Sequence, residues 1–162
     1  MSQNYFTTYK SENFLDFKFD LIKLIYADPY GIKNNSIFKT DYYSKDKGHW
    51  FLLFREKVLE KFSPWFLKKY NAEKFECEHC WYQVYKQNNF HEPHTHAGTN
   101  FTNVFYLQLP GKESTTKSKL NFKAEEGDLV SFPGFITHES VKNIYQKDKI
   151  IISFNSSIRI NE

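Results

Sequence analysis

The chain has 162 residues and a mass of 19.4 kDa, enough for one domain that buries roughly two-thirds of the surface of its unfolded form. Hydrophobic residues at 40%, charged residues at 25% and an aromatic share of 19% exclude a disordered or fibrous chain. The net charge of +3 comes from lysines interleaved with acidic residues, which argues against a nucleic-acid partner, and the longest apolar runs, such as Ile150-Ile151-Ile152, are too short to span a bilayer. The first residues, Met1-Ser2-Gln3-Asn4-Tyr5-Phe6, lack the layout of a secretory signal, and two cysteines make no disulfide framework. Both features lead us to expect a cytoplasmic protein.

In chain order, residues 12–26 are ambiguous: Phe17-Lys18-Phe19-Asp20-Leu21 alternates like a strand, while Phe14, Leu21, Leu24 and Ile25 suit a helix. Residues 27–47 carry the turn formers Pro29-Tyr30-Gly31 and Asn34-Asn35-Ser36 and read as a surface connection with a short strand at most. From 47 to 70, Trp50, Leu53, Phe54, Val58, Leu59 and Phe62 recur at helical spacing, with Pro64 expected to break or restart the helix. Beyond residue 74 the pattern becomes strand-like, with strands predicted at 75–85, 101–109, 119–123, 128–132, 138–143 and 149–155. Loops are predicted at 87–93, 110–117, 125–127, 133–134 and 146–148. No repeat or linker divides the chain. This predicts a single domain over 1–162, with a helical or mixed region to about residue 74 and a β core from about 75 to 156. The fold class is mainly β, a jelly roll with the N-terminal helices packed on one sheet.

Four of the six histidines fall in His91-Glu92-Pro93-His94-Thr95-His96 and Pro133-Gly134-Phe135-Ile136-Thr137-His138. On an extended strand, residues two apart point to one face, so His94 and His96 present two imidazoles together, whereas His91 and His94 would diverge. His91 is therefore read as a neighbouring loop residue. Glu126 to Pro133 is a turn feeding a buried strand, Pro133 ends it by withdrawing a donor, and His138 follows, placed to approach the pair from the next strand. Three ligands on one face of a metal leave positions open for oxygen and a substrate.

Lys149 opens the strand Lys149-Ile150-Ile151-Ile152-Ser153-Phe154-Asn155. By alternation, Lys149, Ile151, Ser153 and Asn155 share one face and Ile150, Ile152 and Phe154 the other. If the second face packs against the helices, the first offers a cavity one ammonium and two small polar groups. A partly buried ammonium suits a carboxylate ligand, since each offsets the desolvation cost of the other.

Taken together, Trp81-Tyr82-Gln83-Val84-Tyr85, His94-Thr95-His96, Phe101 to Leu107, Gly127 to Pro133, His138 and the strand from Lys149 to Asn155 resemble the 2-oxoglutarate/Fe(II)-dependent oxygenases. The likeness is to their prolyl-hydroxylase-like branch common in phage genomes, and it covers about residues 78–156. The resemblance implies a double-stranded β-helix and a hydroxylase that consumes O2 and 2-oxoglutarate, releasing succinate and CO2. It also implies Fe(II) held by His94, His96 and His138, and a cosubstrate whose distal carboxylate meets Lys149. Tyr85, Asn103 and Ser153 are implied cavity neighbours. The prime substrate, a prolyl or other peptide side chain or another molecule, is not specified. Two departures stand out: most of the superfamily has a carboxylate where this chain has His96, and lysine replaces the commoner arginine at 149. A neutral ligand leaves more positive charge on the metal, and lysine binds a carboxylate without arginine's bidentate fork.

Two rival functions fit the same pattern. One is a three-histidine cupin dioxygenase that needs no 2-oxoglutarate; Ala97-Gly98-Thr99-Asn100-Phe101 lacks the glutamate cupins usually carry after HxH, and Lys149 then has no role. The other is a non-catalytic jelly-roll binding module. Cys77-Glu78-His79-Cys80 does not read as a zinc site, because it has no second ligand pair and a regular strand sends the two cysteines opposite ways.

Overall fold

The computed structural model describes residues 5–112, 115–118 and 123–160. Two antiparallel sheets face each other. The elements are β1 (Thr7–Lys10), α1 (Phe14–Ala27), β2 (Ile32–Asn34), β3 (Ile37–Thr40), α2 (His49–Phe54), α3 (Glu60–Tyr70), β4 (Ala72–Tyr85), β5 (His91–His94), β6 (Phe101–Gln108), β7 (Thr116–Ser118), β8 (Asp128–Pro133), β9 (His138–Ser140) and β10 (Lys149–Ile160). The major sheet has seven strands in the order β1-β8-β6-β10-β4-β3-β2, and the minor sheet three in the order β5-β9-β7.

The ambiguous stretch near residue 20 is helical because Phe17, Leu21 and Ile25 fall on one buried face. The helix predicted over 47–70 forms, with a π turn over Arg55–Leu59 joining α2 to α3. Pro64 does not end it. It lies inside α3, at the fifth residue of that segment, and the helix continues through it to Tyr70. Residues 27–47 hold two short strands, β2 and β3, that extend the major sheet beyond β4. β1 was not visible in sequence: four residues, Thr7–Lys10, close the opposite edge against β8. β9 stops at Ser140, short of the predicted 143, and β10 runs on to Ile160. β5 and β7 begin within segments predicted as loops. The strand predicted at 119–123 lies, but for Lys123, outside the described residues.

The alternation of β10 sorts the interior into two cores. Ile150, Ile152 and Phe154 join Leu21, Trp50, Phe54, Phe62 and Phe66 in the helix-side core. Aromatic contacts bind that layer, including Trp50 against Tyr82 at 5.3 Å and Phe54 against Phe105 at 5.4 Å. Ile151 instead meets Tyr85, Val104, Tyr106, Val130 and Phe132 between the sheets. Gly127, at φ +87, makes the turn into β8 and lies so close to Phe14 that a Cβ would come within 2.9 Å of its ring.

Candidate metal and cosubstrate site

His94 and His138 are register partners across β5 and β9, and His96 follows two residues after the strand ends. The His96 segment is pinned by Gly134: His96 N–H donates to Gly134 O at 2.9 Å, and Gly134 N–H donates to Asn100 O at 3.1 Å. A Cβ on Gly134 would stand 2.7 Å from the carbonyl oxygens of both His96 and Thr99, so only glycine permits this approach. The imidazoles of His94, His96 and His138 each offer a nitrogen, and the three lie within 4.8 Å of one another.

Every one of these rings has its Nδ1 committed. His94 donates to Glu92 O at 2.8 Å and His138 to Ile136 O at 3.0 Å; carbonyl oxygens only accept, so the hydrogen is on Nδ1. His96 Nδ1 lies 2.7 Å from Asn155 Oδ1. Nε2 is thereby the free basic nitrogen of each ring, and that of His96 is buried without a partner. Burial, the largest cause in each case, lowers the pKa of all three, for His138 to about 3, so the rings are neutral and fit a divalent cation.

His91 departs from its expected place. It belongs to β5, and the irregularity between His91 and His94 sets them opposite Ser140 and His138, two residues apart on β9. Residues two apart share a face, so the His91 ring stacks on His94 with centroids 4.0 Å apart. Its pKa falls to about 4, through burial and then the neighbouring His94 and His96.

Lys149 is 1% exposed, donates to Ser140 Oγ at 2.8 Å and lies 5.5 Å from the centre of the Tyr85 ring. Among the described residues no carboxylate pairs with it. Burial lowers its pKa to about 7. The Tyr85 hydroxyl has no partner meeting hydrogen-bond geometry, although Ser140 is near enough to favour its ionised form; burial outweighs that and raises the pKa. Tyr85, Ser140, Ser153 and the three histidines line an inner cavity of about 20 Å³, room for about one water. A five-carbon diacid needs those walls to part.

Asn103 is not a cavity neighbour, which corrects the expectation from sequence. It shares its face of β6 with Phe105 and Leu107 of the helix-side core. Its amide donates to Phe154 O and Ser156 Oγ, and its oxygen accepts from Ser131 Oγ at 2.6 Å. The side chain is a buried bridge between β6, β8 and β10. Asn155, which strand alternation placed on the cavity face, is the polar group that meets a histidine.

On the outer side of the histidines opens a cleft of about 340 Å³, walled by Tyr42, Tyr43, Trp81, Gln83, Thr95 and Asn155 among others. Among the described residues no Asp, Glu, Lys or Arg lines it. Trp81 stacks on His96 at 5.8 Å and lines both the outer cleft and the inner cavity, as do Gln83, His91, His94 and His96.

No protein-family model matches the chain, and no curated protein matches it in sequence. Solved structures do match, over nearly the whole length. The viral collagen prolyl hydroxylase of Paramecium Bursaria Chlorella virus-1, in its 2-oxoglutarate complex, superposes with a TM-score of 0.68 at 16% identity, covering 99% of this chain and 98% of that one. A Pseudomonas putida prolyl-4-hydroxylase gives 0.63 at 13%, covering 98% and 94%. A Trichoplax adhaerens prolyl hydroxylase, solved with a hypoxia inducible factor oxygen degradation domain peptide fragment, gives 0.64 at 14%, covering 95% and 84%. The chain therefore has the double-stranded β-helix fold of the 2-oxoglutarate/Fe(II) oxygenases, prolyl hydroxylases among them. The likeness extends beyond residues 78–156 to the N-terminal helices. It gives no support to a phage origin. No helix among the described residues is long and apolar enough to cross a membrane.

Proposed function

We propose that the protein is a 2-oxoglutarate-dependent, non-haem Fe(II) oxygenase that hydroxylates a substrate held in the outer cleft. One observation carries the reading: three neutral imidazoles with Nδ1 committed line a cavity with Ser140, whose hydroxyl is bonded by a buried lysine that lacks a carboxylate partner among the described residues. His94, His96 and His138 would hold the iron. Lys149 would receive the distal carboxylate of 2-oxoglutarate, with Ser140, Ser153 and Tyr85 around it. Fe(II) with its cosubstrate supplies the oxidising power, consuming O2 and releasing succinate and CO2 as a substrate C–H bond becomes C–OH. The chain's own contribution is binding and orientation. Glu92 O, Ile136 O and Asn155 Oδ1 fix the ring tautomers, and Trp81 limits water at His96.

A carboxylate entering the inner cavity gains an ion pair where water is scarce, and Lys149 recovers the charge that burial makes costly. A cupin that used no 2-oxoglutarate would leave that ammonium without a function. Among the described residues the outer cleft has no Asp, Glu, Lys or Arg in its wall, so the group presented to the metal is uncharged. A prolyl or other neutral peptide side chain meets that condition.

The deciding experiment is an anaerobic titration of metal-free protein with Fe(II) and then 2-oxoglutarate, following the visible charge-transfer band of the chelate, with His94→Ala as control. A band that needs both ligands and disappears in the control supports the oxygenase. Iron binding without a band favours the cupin chemistry, and failure to bind iron leaves a non-catalytic binding module.

A further inference from the structure

Cys77 and Cys80 lie three residues apart on β4 and take no part in the chemistry above. In a regular strand they would face opposite ways, and the structure overturns that expectation. Cys80 is the register partner of Phe154 and Cys77 of Ser156, with Glu78 as the extra residue of a bulge between them. Phe154 and Ser156 are two apart on β10 and share a face, so the two cysteines share one as well. Two strand steps span about 6.6 Å between Cα atoms. Their register partners on β10 are about that far apart, near the upper end of the range of about 4.4–6.8 Å that disulfides bridge, and closure requires the bulge to hold the cysteines no farther apart than those partners.

The two thiols differ in setting. Cys77 is exposed, whereas Cys80 is buried in the helix-side core. Both border a surface cleft of about 490 Å³ whose wall also carries Lys45, Lys47 and His79. A hydrogen bond with Cys80 holds Cys77 below the usual thiol pKa, while burial, then that same bond, pushes Cys80 well above it. The thiolate therefore forms first on the accessible sulfur, which is the arrangement of an attacking and a resolving thiol.

We propose that Cys77 and Cys80 form a redox-active dithiol that reduces low-molecular-weight disulfides and closes to an intramolecular disulfide. The Cys77 thiolate attacks one sulfur of the small disulfide. Its S–S bond breaks, one half leaves as a thiolate and takes up a proton, and the other half stays on Cys77 as a mixed disulfide. Cys80 then gives its proton to solvent and attacks Cys77 Sγ, expelling the second half, which is protonated in turn. Two protein thiols lose two electrons and two protons, and one disulfide becomes two thiols. Lys45 favours an anionic disulfide such as oxidised glutathione, whereas Lys47 is paired with Asp41 at 3.3 Å and Glu78 also lines the wall. The proposal is independent of the histidine site, although Tyr42 and Tyr43 line both this cleft and the outer cleft at the metal site.

The test is incubation of the full-length protein with oxidised glutathione, alkylation of the remaining thiols and intact mass measurement. The expected product has lost two hydrogens, carries neither glutathione nor alkyl group, and returns to the starting mass with dithiothreitol. Cys80→Ala is expected to stop at a mixed disulfide on Cys77. Cys77→Ala, a change at an exposed position that leaves the core intact, is expected to stay unmodified. A wild-type protein that keeps two alkylatable thiols, halts at the mixed disulfide or links only between chains overturns the proposal, whatever the Cys80 variant does.

Discussion

The two faces of the major sheet are built on opposite principles. Toward the helices, apolar side chains pack densely, and polar intrusions such as Asn103 with Ser131 and Ser156, and the Tyr82 hydroxyl donating to Asp28 at 2.7 Å, are hydrogen-bonded among themselves. Toward the minor sheet, a smaller apolar cluster gives way to four histidines, a buried lysine and a tyrosine hydroxyl without a geometric partner. The first face is dominated by apolar burial, with the Trp50 indole N–H left unmet, so it mainly stabilises. The second carries groups whose burial costs free energy unless something binds them, so it is where a ligand has most to offer. The difference teaches where stability and function are separated in this fold: they lie on opposite sides of one strand, β10.

Substitutions on the two sides are expected to fail differently. His138→Ala removes one of three metal nitrogens and is expected to abolish tight Fe(II) binding with little loss of thermal stability. Unchanged iron content after dialysis, measured by elemental analysis, would sink the ligand assignment. Phe62→Ala, on the helix side, is expected to cost about 3–5 kcal/mol in denaturant unfolding while the protein that remains folded still binds iron. Equal stability of mutant and parent would contradict the contrast from the other direction.

Lys149→Ala is expected to raise the 2-oxoglutarate dissociation constant about 10–100-fold, the worth of a charge-assisted hydrogen bond, with iron loading retained. Calorimetry that finds the same cosubstrate affinity in both proteins would remove Lys149 from the site. Asn155→Ala is expected to weaken metal binding by about tenfold, because the His96 ring loses the acceptor that orients it. Recovery of affinity in Asn155→Asp would separate this orienting role from a mere packing defect.

A separate effect is expected on the acid stability of the metal-free protein. His138 and His91 have pKa values lowered from 6.5 to about 3 and about 4 in the folded state. Between those values and 6.5 the unfolded chain binds more protons than the folded one, so stability is present above pH 6.5 and is lost as the pH falls toward 3. Bound metal competes with those protons and should steepen the loss. A melting temperature that stays flat from pH 7 to about 4 would show that these rings are not held neutral.

The sequence by itself determined a good deal: the β core after residue 74, the long helix with Phe62 inward, the sorting of Ile150, Ile152 and Phe154 from Lys149, Ile151 and Ser153, and the proximity of His94 and His96. Each is a consequence of local periodicity, which a chain carries in its own spacing. What only the tertiary structure decided is where that periodicity is interrupted. Irregular pairing of β5 against β9 brings His91 onto His94, and a bulge of β4 against β10 turns Cys77 and Cys80 the same way. The face of Asn103 was legible from alternation along β6, yet its role was not, because its partners Ser131, Phe154 and Ser156 come from two other strands. An extra residue in one strand is defined only against its partner, which can lie far away in sequence. The physical reason is that alternation is a property of the backbone, whereas register belongs to the pair.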